Sequence, residues 1–235
     1  MIYLCIAFIV LGAVALTFFL IEKTKNYSVK AVILKTIASL FFIATAAVGL
    51  YKNGYHILTL FVTLGLICGM LGDIWLDLKY VYREHDRPYS YAGFTAFGIG
   101  HILYITGMFL EFYHKSDNVL FVILPLVVGI IAGVVNVFLD KIMKLDYKDM
   151  KVASALYGIT LFSMVLTTLS LAILYKFQNV TLVMFFVGGI LFAISDLILS
   201  GTYFGEGKER PVDIITNTVT YYMAQFTIAF AMFFL

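Results

Sequence analysis

The chain has 235 residues, 62% of them hydrophobic and 13% charged, with a formal net charge of +2 and a mean hydropathy of +0.99. A water-soluble domain of this length cannot hide so much apolar surface, and no basic, glycine-rich or aromatic stripe suits nucleic acid, so both classes are excluded. The composition is that of a polytopic integral membrane protein, in which each span needs about 20 apolar residues to cross a hydrocarbon core about 30 Å thick.

Eight apolar runs follow one another, at about 2–21, 31–50, 57–78, 91–113, 118–139, 152–175, 180–200 and 212–235, forming a single transmembrane domain over 1–235. They are solidly apolar and do not alternate, which rejects a β-barrel. With only three prolines in the chain, the expected fold is all-α, a bundle of eight continuous transmembrane helices. The first run has no positive segment before it and no small-residue cleavage site after it, so it reads as a retained span and not as a signal peptide. The second carries Lys35 about one turn from its start. The third ends in "GMLGDIWLDLKY" (69–80), where Asp73 falls inside the apolar run and Asp77 follows one helical turn later on the same face. Gly65, Gly69 and Gly72 make a stripe beside them that lets another helix approach closely. The fourth places Gly93, Phe97, His101 and Tyr104 on one face, and Tyr80, Tyr82, Tyr89 and Tyr91 near its start read as an interfacial aromatic belt. The fifth contains Pro125 and Asn136, the seventh Ser195 and Asp196, and the eighth Asn217, Tyr221, Tyr222 and Gln225. Cys5 and Cys68 sit in apolar runs and read as packing residues.

Thirteen of the 16 Lys and Arg lie in or beside loops one, three, five and seven, Lys23, Lys35 and Lys208 among them; the others are Lys52, Lys115 and Lys176. By the positive-inside rule the odd loops are cytoplasmic and both termini lie outside the cytoplasm, with a bacterial inner membrane as the expected location. Asp73 then sits roughly 8 Å below the cytoplasmic edge of the hydrocarbon, with Ser195 and Asp196 at similar depth. His101, Asn136, Asn217, Tyr221, Tyr222 and Gln225 fall in the same half, and on this reading the outer half carries no acid. Polar residues sorted to one half point to a shared cavity opening toward the cytoplasm. The matching endings "GDIWL" (72–76) and "SDLIL" (195–199) suggest a four-plus-four parallel repeat offset by 123 residues.

Each residue has a plain alternative. Lys35 is open between a lysine that reaches to the interface and an anion contact. Asp77 reads as a helix-end charge. A lone histidine in a helix is more often a satisfied packing group than a metal ligand, and His56, His85 and His114 lie in or beside loops, so no metal is expected. Two buried carboxyls in one cavity have their ionisations pushed apart, which is what acid/base chemistry needs.

The segments "GDIWL" (72–76), "GFTAFGIGHILY" (93–104), "FAISDLIL" (192–199) and "YYMAQ" (221–225) resemble, in order, the motif blocks of YhhN-like membrane proteins, a family that includes the animal lysoplasmalogenases. The resemblance implies hydrolysis of the vinyl ether bond of a lysoplasmalogen or related lysolipid to a fatty aldehyde and a glycerophospho-head group. It maps the two family aspartates onto Asp73 and Asp196, the histidine onto His101, the tyrosines onto Tyr104 and Tyr221, and the glutamine onto Gln225. Asp73, Asp196 and His101 are the expected catalytic residues, and Lys35, Tyr104, Asn217, Tyr221 and Gln225 the expected substrate-binding ones. The partners are a lysophospholipid, its tail lying between helices and reached sideways, and the bilayer itself; no metal or organic cofactor is required. A small-molecule or proton-coupled transporter and a non-catalytic lipid-binding protein are the alternatives.

Overall fold

In hydrocarbon every backbone N–H and C=O must find its partner within the protein, and apolar runs of this length meet that demand as helices. The computed structural model describes residues 1–114, 117–205 and 210–235; Lys115 and Lys208, both counted in the charge asymmetry, lie outside them. The long helices are α1 (Ile2–Lys25), α2 (Val29–Asn53), α3 (Ile57–Val81), α4 (Asp86–Phe112), α5 (Leu120–Phe138), α7 (Lys151–Leu174), α8 (Val180–Phe204) and α9 (Pro211–Ala231), with a four-residue helix, α6 (Asp140–Met143), between α5 and α7. Local chemistry sets several ends. Ser28 Oγ accepts from the Ala31 N–H at 3.2 Å to start α2, Asn179 Oδ1 accepts from the Leu182 N–H at 3.0 Å to start α8, and Pro211 occupies the first turn of α9. Pro125 lies inside α5, in its first two turns.

The chain is a multi-pass membrane protein: seven of these helices are long and apolar enough to cross a membrane. The eighth predicted span, α9, is a long helix but falls short in apolarity, because its first half carries Thr216, Asn217, Thr218, Thr220, Tyr221 and Tyr222. It lies antiparallel along α8, with Asn217 bonded to Ser195 near one end and Thr181 Oγ1 donating to the Ala231 carbonyl at 3.4 Å near the other.

Six helices close a ring in the order α2, α3, α4, α7, α8, α9 and back to α2, while α1 packs outside on α2 and α5 outside on α7. The two outer helices bury 22% of their most apolar segment, against 39–44% in the other spans. At one end of the bundle Tyr27 stacks on Tyr80 at 4.6 Å, Tyr80 meets Tyr203, Arg87 pairs with Asp149, and Leu145 bridges to Gly205. At the other end Asn53 Nδ2 donates to the Met232 carbonyl at 3.0 Å and Tyr175 OH to the Phe112 carbonyl at 3.0 Å. Glu111 also lies there, 2.8 Å from His56 Nδ1 and accepting from the Leu58 N–H. This corrects the expectation of an acid-free outer half: Glu111 is a terminal-turn residue of α4 that caps the start of α3.

The glycine stripe does what its spacing predicts. A methyl at Gly65 would strike the Tyr104 ring, one at Gly69 the Gln225 amide and one at Gly72 the Phe97 ring. Backbone approach at these positions brings the polar side chains of α4 and α9 up to α3 just ahead of Asp73.

Candidate active site

Asp73 and Asp77 are 2% and 4% exposed, so neither is a helix-end charge in water. Lys35 Nζ lies 3.0 Å from Asp73 Oδ1 and 2.9 Å from Asp77 Oδ2. The second Asp77 oxygen takes Lys23, which is itself buried and sits over the Tyr80 and Tyr27 rings. Two cations and two carboxylates thus form a neutral quartet, the arrangement under which charges are tolerated away from water. The sequence reading of Lys23 as a loop lysine and of Asp77 as a terminal charge is corrected here: α1 runs one turn past its apolar run and carries Lys23 back against α3. Lys35 neither reaches to the interface nor waits free for an anion, since both carboxylates hold it.

Neutral donors complete the shell of Asp73. Ser39 Oγ donates to Oδ2 at 3.1 Å and Tyr221 OH donates to the same oxygen at 2.9 Å. Behind them, Gln225 Nε2 donates to Tyr221 OH at 2.9 Å, and Tyr104 OH donates to Gln225 Oε1 at 3.4 Å. Tyr222 OH lies 2.9 Å from Ser39 Oγ and donates to the Lys35 carbonyl at 3.0 Å. Tyr104 and Gln225 therefore hold Tyr221 in place, at one or two removes from the carboxylate, and do not line the cavity described next.

Asp196 has a different setting. The Tyr157 hydroxyl donates to it, and among the described residues no lysine, arginine or histidine pairs with it. Its backbone is fixed by its neighbour: Asn217 Nδ2 donates to the Ser195 carbonyl at 2.7 Å and to its hydroxyl at 3.0 Å, which pins α8 to α9. The Phe94 ring stacks on Tyr157 at 5.6 Å.

The two aspartates, 123 residues apart in the chain, line one cavity of about 40 Å³, together with Lys35, Phe97, Tyr157, Asn217 and Tyr221. A water needs roughly 10–15 Å³ of such space, so the cavity has room for a few waters and not for a lipid head group. A second cavity of about 40 Å³, lined by Asn136, Tyr147, Ser154 and Tyr203, lies on the other side of Asp196 and Tyr157. The first cavity thus lies between an aspartate paired with a lysine and an aspartate bonded to a phenol, with room for water between them.

His101 is buried beside this assembly and does not line the cavity. Its Nδ1 lies 3.4 Å from Thr160 Oγ1, its ring packs edge-on against Phe192 at 4.9 Å and near Tyr157 at 5.5 Å, and its Nε2 has no hydrogen-bond partner among the described residues. A water held between His101 and either aspartate is not what this geometry supports; the ring instead backs Tyr157. Three residues of the assembly, Ser39, Tyr157 and Thr160, went unremarked in the sequence, and Ser39 gave no signal there. Tyr157 and Thr160 could have been found from the polar face of their helix, where Ser154, Tyr157 and Thr160 recur at helical spacing.

No curated protein and no solved structure matches the chain significantly. A family model described as the YhhN family matches residues 30–232, which include both aspartates, Lys35, Tyr157 and the Tyr221–Gln225 relay and leave out Lys23. With most of the chain inside that match, the chain belongs to the YhhN family.

Proposed function

We propose that the protein is a membrane-embedded hydrolase that cleaves the vinyl ether bond of a lysoplasmalogen or closely related lysolipid. The observation that carries this reading is the single water-sized cavity lined by two carboxyls in unlike surroundings. Vinyl ether hydrolysis needs such a pair. An acid protonates the β-carbon of R–CH=CH–O–R′, giving the oxocarbenium ion R–CH₂–CH=O⁺–R′. Water adds to the cationic carbon and loses a proton to a base. The hemiacetal R–CH₂–CH(OH)–O–R′ then collapses to the aldehyde R–CH₂–CHO and the alcohol HO–R′. Glycosidases meet a similar cation with two carboxyls. Asp196, with a phenol and no cation beside it, is the proton donor; Asp73, held by Lys35, Ser39 and Tyr221, is the carboxylate that faces the oxocarbenium ion and receives the water's proton. Lys35 and Tyr221 are positioning residues for Asp73, and Tyr157 for Asp196. Asn217 lines the cavity beside them, where the glycerol hydroxyls of the substrate would lie.

The membrane arrangement belongs to the same proposal. All eight long helices cross the bilayer, α9 included, because a helix running along the length of α8 and shielding its polar face within the ring needs no apolar surface all round. The lysine-rich end faces the cytoplasm, in a bacterial inner membrane, with both termini outside. A four-plus-four repeat is supported by the packing pattern: α1 lies on α2 as α5 lies on α7, α3 pairs with α4 as α8 with α9, and α4 meets α7 as α9 meets α2. Under that repeat Asp73 corresponds to Asp196, and the α2 position that binds the first acid corresponds closely to the α7 position that binds the second. Continuous helices through both acids disfavour the carrier alternative, whose sites use interrupted helices.

The test is aldehyde release by the purified protein from a 1-alkenyl lysophospholipid. Loss of turnover in Asp196→Asn, with a bell-shaped pH–rate curve in the wild type, is expected. Undiminished turnover in Asp196→Asn or Asp73→Asn, or uptake of substrate into proteoliposomes without product, overturns the proposal.

A further inference from the structure

We infer that the trough between α4 and α7 is the binding site for the single hydrocarbon chain of the substrate, entered sideways from the bilayer; this rests on the hydrolase reading above and deepens it. The trough has a volume of about 520 Å³ and follows α4 from Tyr91 to Ile102, about 17 Å at ~1.5 Å per residue. Its rims are apolar side chains turned toward lipid, Ile99 and Ile102 on α4 and Val152 and Leu156 on α7, all at least 46% exposed. Its floor is low at Gly98, where an added Cβ would meet nothing closer than Thr160 Oγ1 at 3.7 Å. At the lysine-rich end Tyr91 OH donates to the Asp149 carbonyl at 3.3 Å, and at the deep end the His101–Thr160 contact joins the two helices. The trough is therefore closed at both ends and open along its side.

Any groove on a membrane helix pair touches lipid, so the distinguishing fact is what lies beneath this one. Phe94 and Tyr157 line the trough and also line the cavity that holds Asp73 and Asp196. One stacked pair of rings separates a hydrocarbon chain lying there from the carboxyl that Tyr157 holds. A comparable trough of about 450 Å³ between α5 and α7, lined by Leu124, Pro125, Val128 and Leu166, has no residue in common with that cavity. Continuity with the acid pair thus singles out the α4–α7 trough as the place for a chain whose reactive bond must reach Asp196. It also explains how a cavity with room for a few waters serves a lipid: the chain stays in the trough, and only the vinyl ether reaches between the Phe94 and Tyr157 rings as they part.

The experiment uses the full-length protein in lipid nanodiscs with a lysophosphatidylcholine that carries a diazirine in mid-chain. After irradiation, adducts are mapped by peptide mass spectrometry. Adducts on 91–102 and 152–160 should exceed those on 118–128 and 166–173 by about fivefold or more, and excess unlabelled lysolipid should remove the difference. Gly98→Leu, which fills the floor, and Ile102→Trp, which fills the rim, should each lower that labelling and reduce the long-chain over short-chain ratio of kcat/KM by about tenfold, the equivalent of roughly two methylenes lost from contact. Equal labelling of the two troughs, or unchanged labelling and chain-length preference in both folded variants, overturns the assignment. Labelling does not require turnover, so a protein that labels the α4–α7 trough and releases no aldehyde rejects the hydrolase reading alone. One that releases aldehyde with evenly spread label rejects the trough alone.

Discussion

The corner around Asp73 and the corner around Asp196 share one layout and differ in chemistry. In each, the acid sits on the inner face of a ring helix, α3 or α8, and its partner comes from the helix that precedes it in the ring, Lys35 on α2 or Tyr157 on α7. The first partner is a cation tied into a neutral quartet with Lys23 and Asp77, and the second is a phenol. The ion pairs through Lys35 tie Asp73 and Asp77 on α3 to α2 and so help to hold these helices together. Asp196 has a neutral partner in Tyr157, and in the proposed mechanism this suits it to donate the proton. The proposed division into an acid and a carboxylate rests on what the neighbouring helix presents to each.

The largest effect should come from breaking the balanced corner. Lys35→Met leaves Asp73 and Asp77 sharing Lys23, and should cost about 3–5 kcal/mol, read as a lowered unfolding midpoint in detergent. Adding Asp73→Asn restores neutrality, so the double variant should recover more than half of the loss; a Lys35→Met protein that melts like the wild type would show that the quartet carries no stability. On the other side, Asp196→Asn should lower aldehyde release by roughly 10²–10⁴-fold while shifting stability by less than about 1 kcal/mol, because no charge is left unpaired. The contrast between these two variants, one structural and one chemical, is the sharpest test of the division of roles. Tyr157→Phe removes a single donor from Asp196 and should cost about 1 kcal/mol in stability, with turnover reduced and the pH–rate curve displaced, since the carboxyl loses the group that positions it. Ser39→Ala should have the smallest effect, about 1 kcal/mol or less in the same melt, because Asp73 keeps Lys35 and Tyr221; a drop as large as that of Lys35→Met would mean that the neutral donors, and not the cation, hold the carboxylate.

How much was legible beforehand follows the range over which each feature acts. Apolar runs, their lengths and the two acids inside them are local, and α1 to α5, α7 and α8 appear where the runs lie; all but α5, which stops within its run, extend past them at the lysine-rich end. Asp73 and Asp196 could be singled out because an ionisable group in hydrocarbon is costly and stands out in one dimension. Lys23 could not, because a lysine two residues beyond an apolar run looks the same whether it meets water or folds back on Asp77. His101 resembled a catalytic group by its position on a face with Phe97 and Tyr104, yet the packing of Tyr157 and Phe192 places it behind the cavity wall. The sequence by itself determined a membrane bundle with two acids in one half of it, since hydropathy and charge are properties of each segment alone. Only the tertiary structure decided which acid is neutralised, which tyrosine holds the other, and that both line the same cavity, because those are contacts between helices whose order around the ring no single segment encodes.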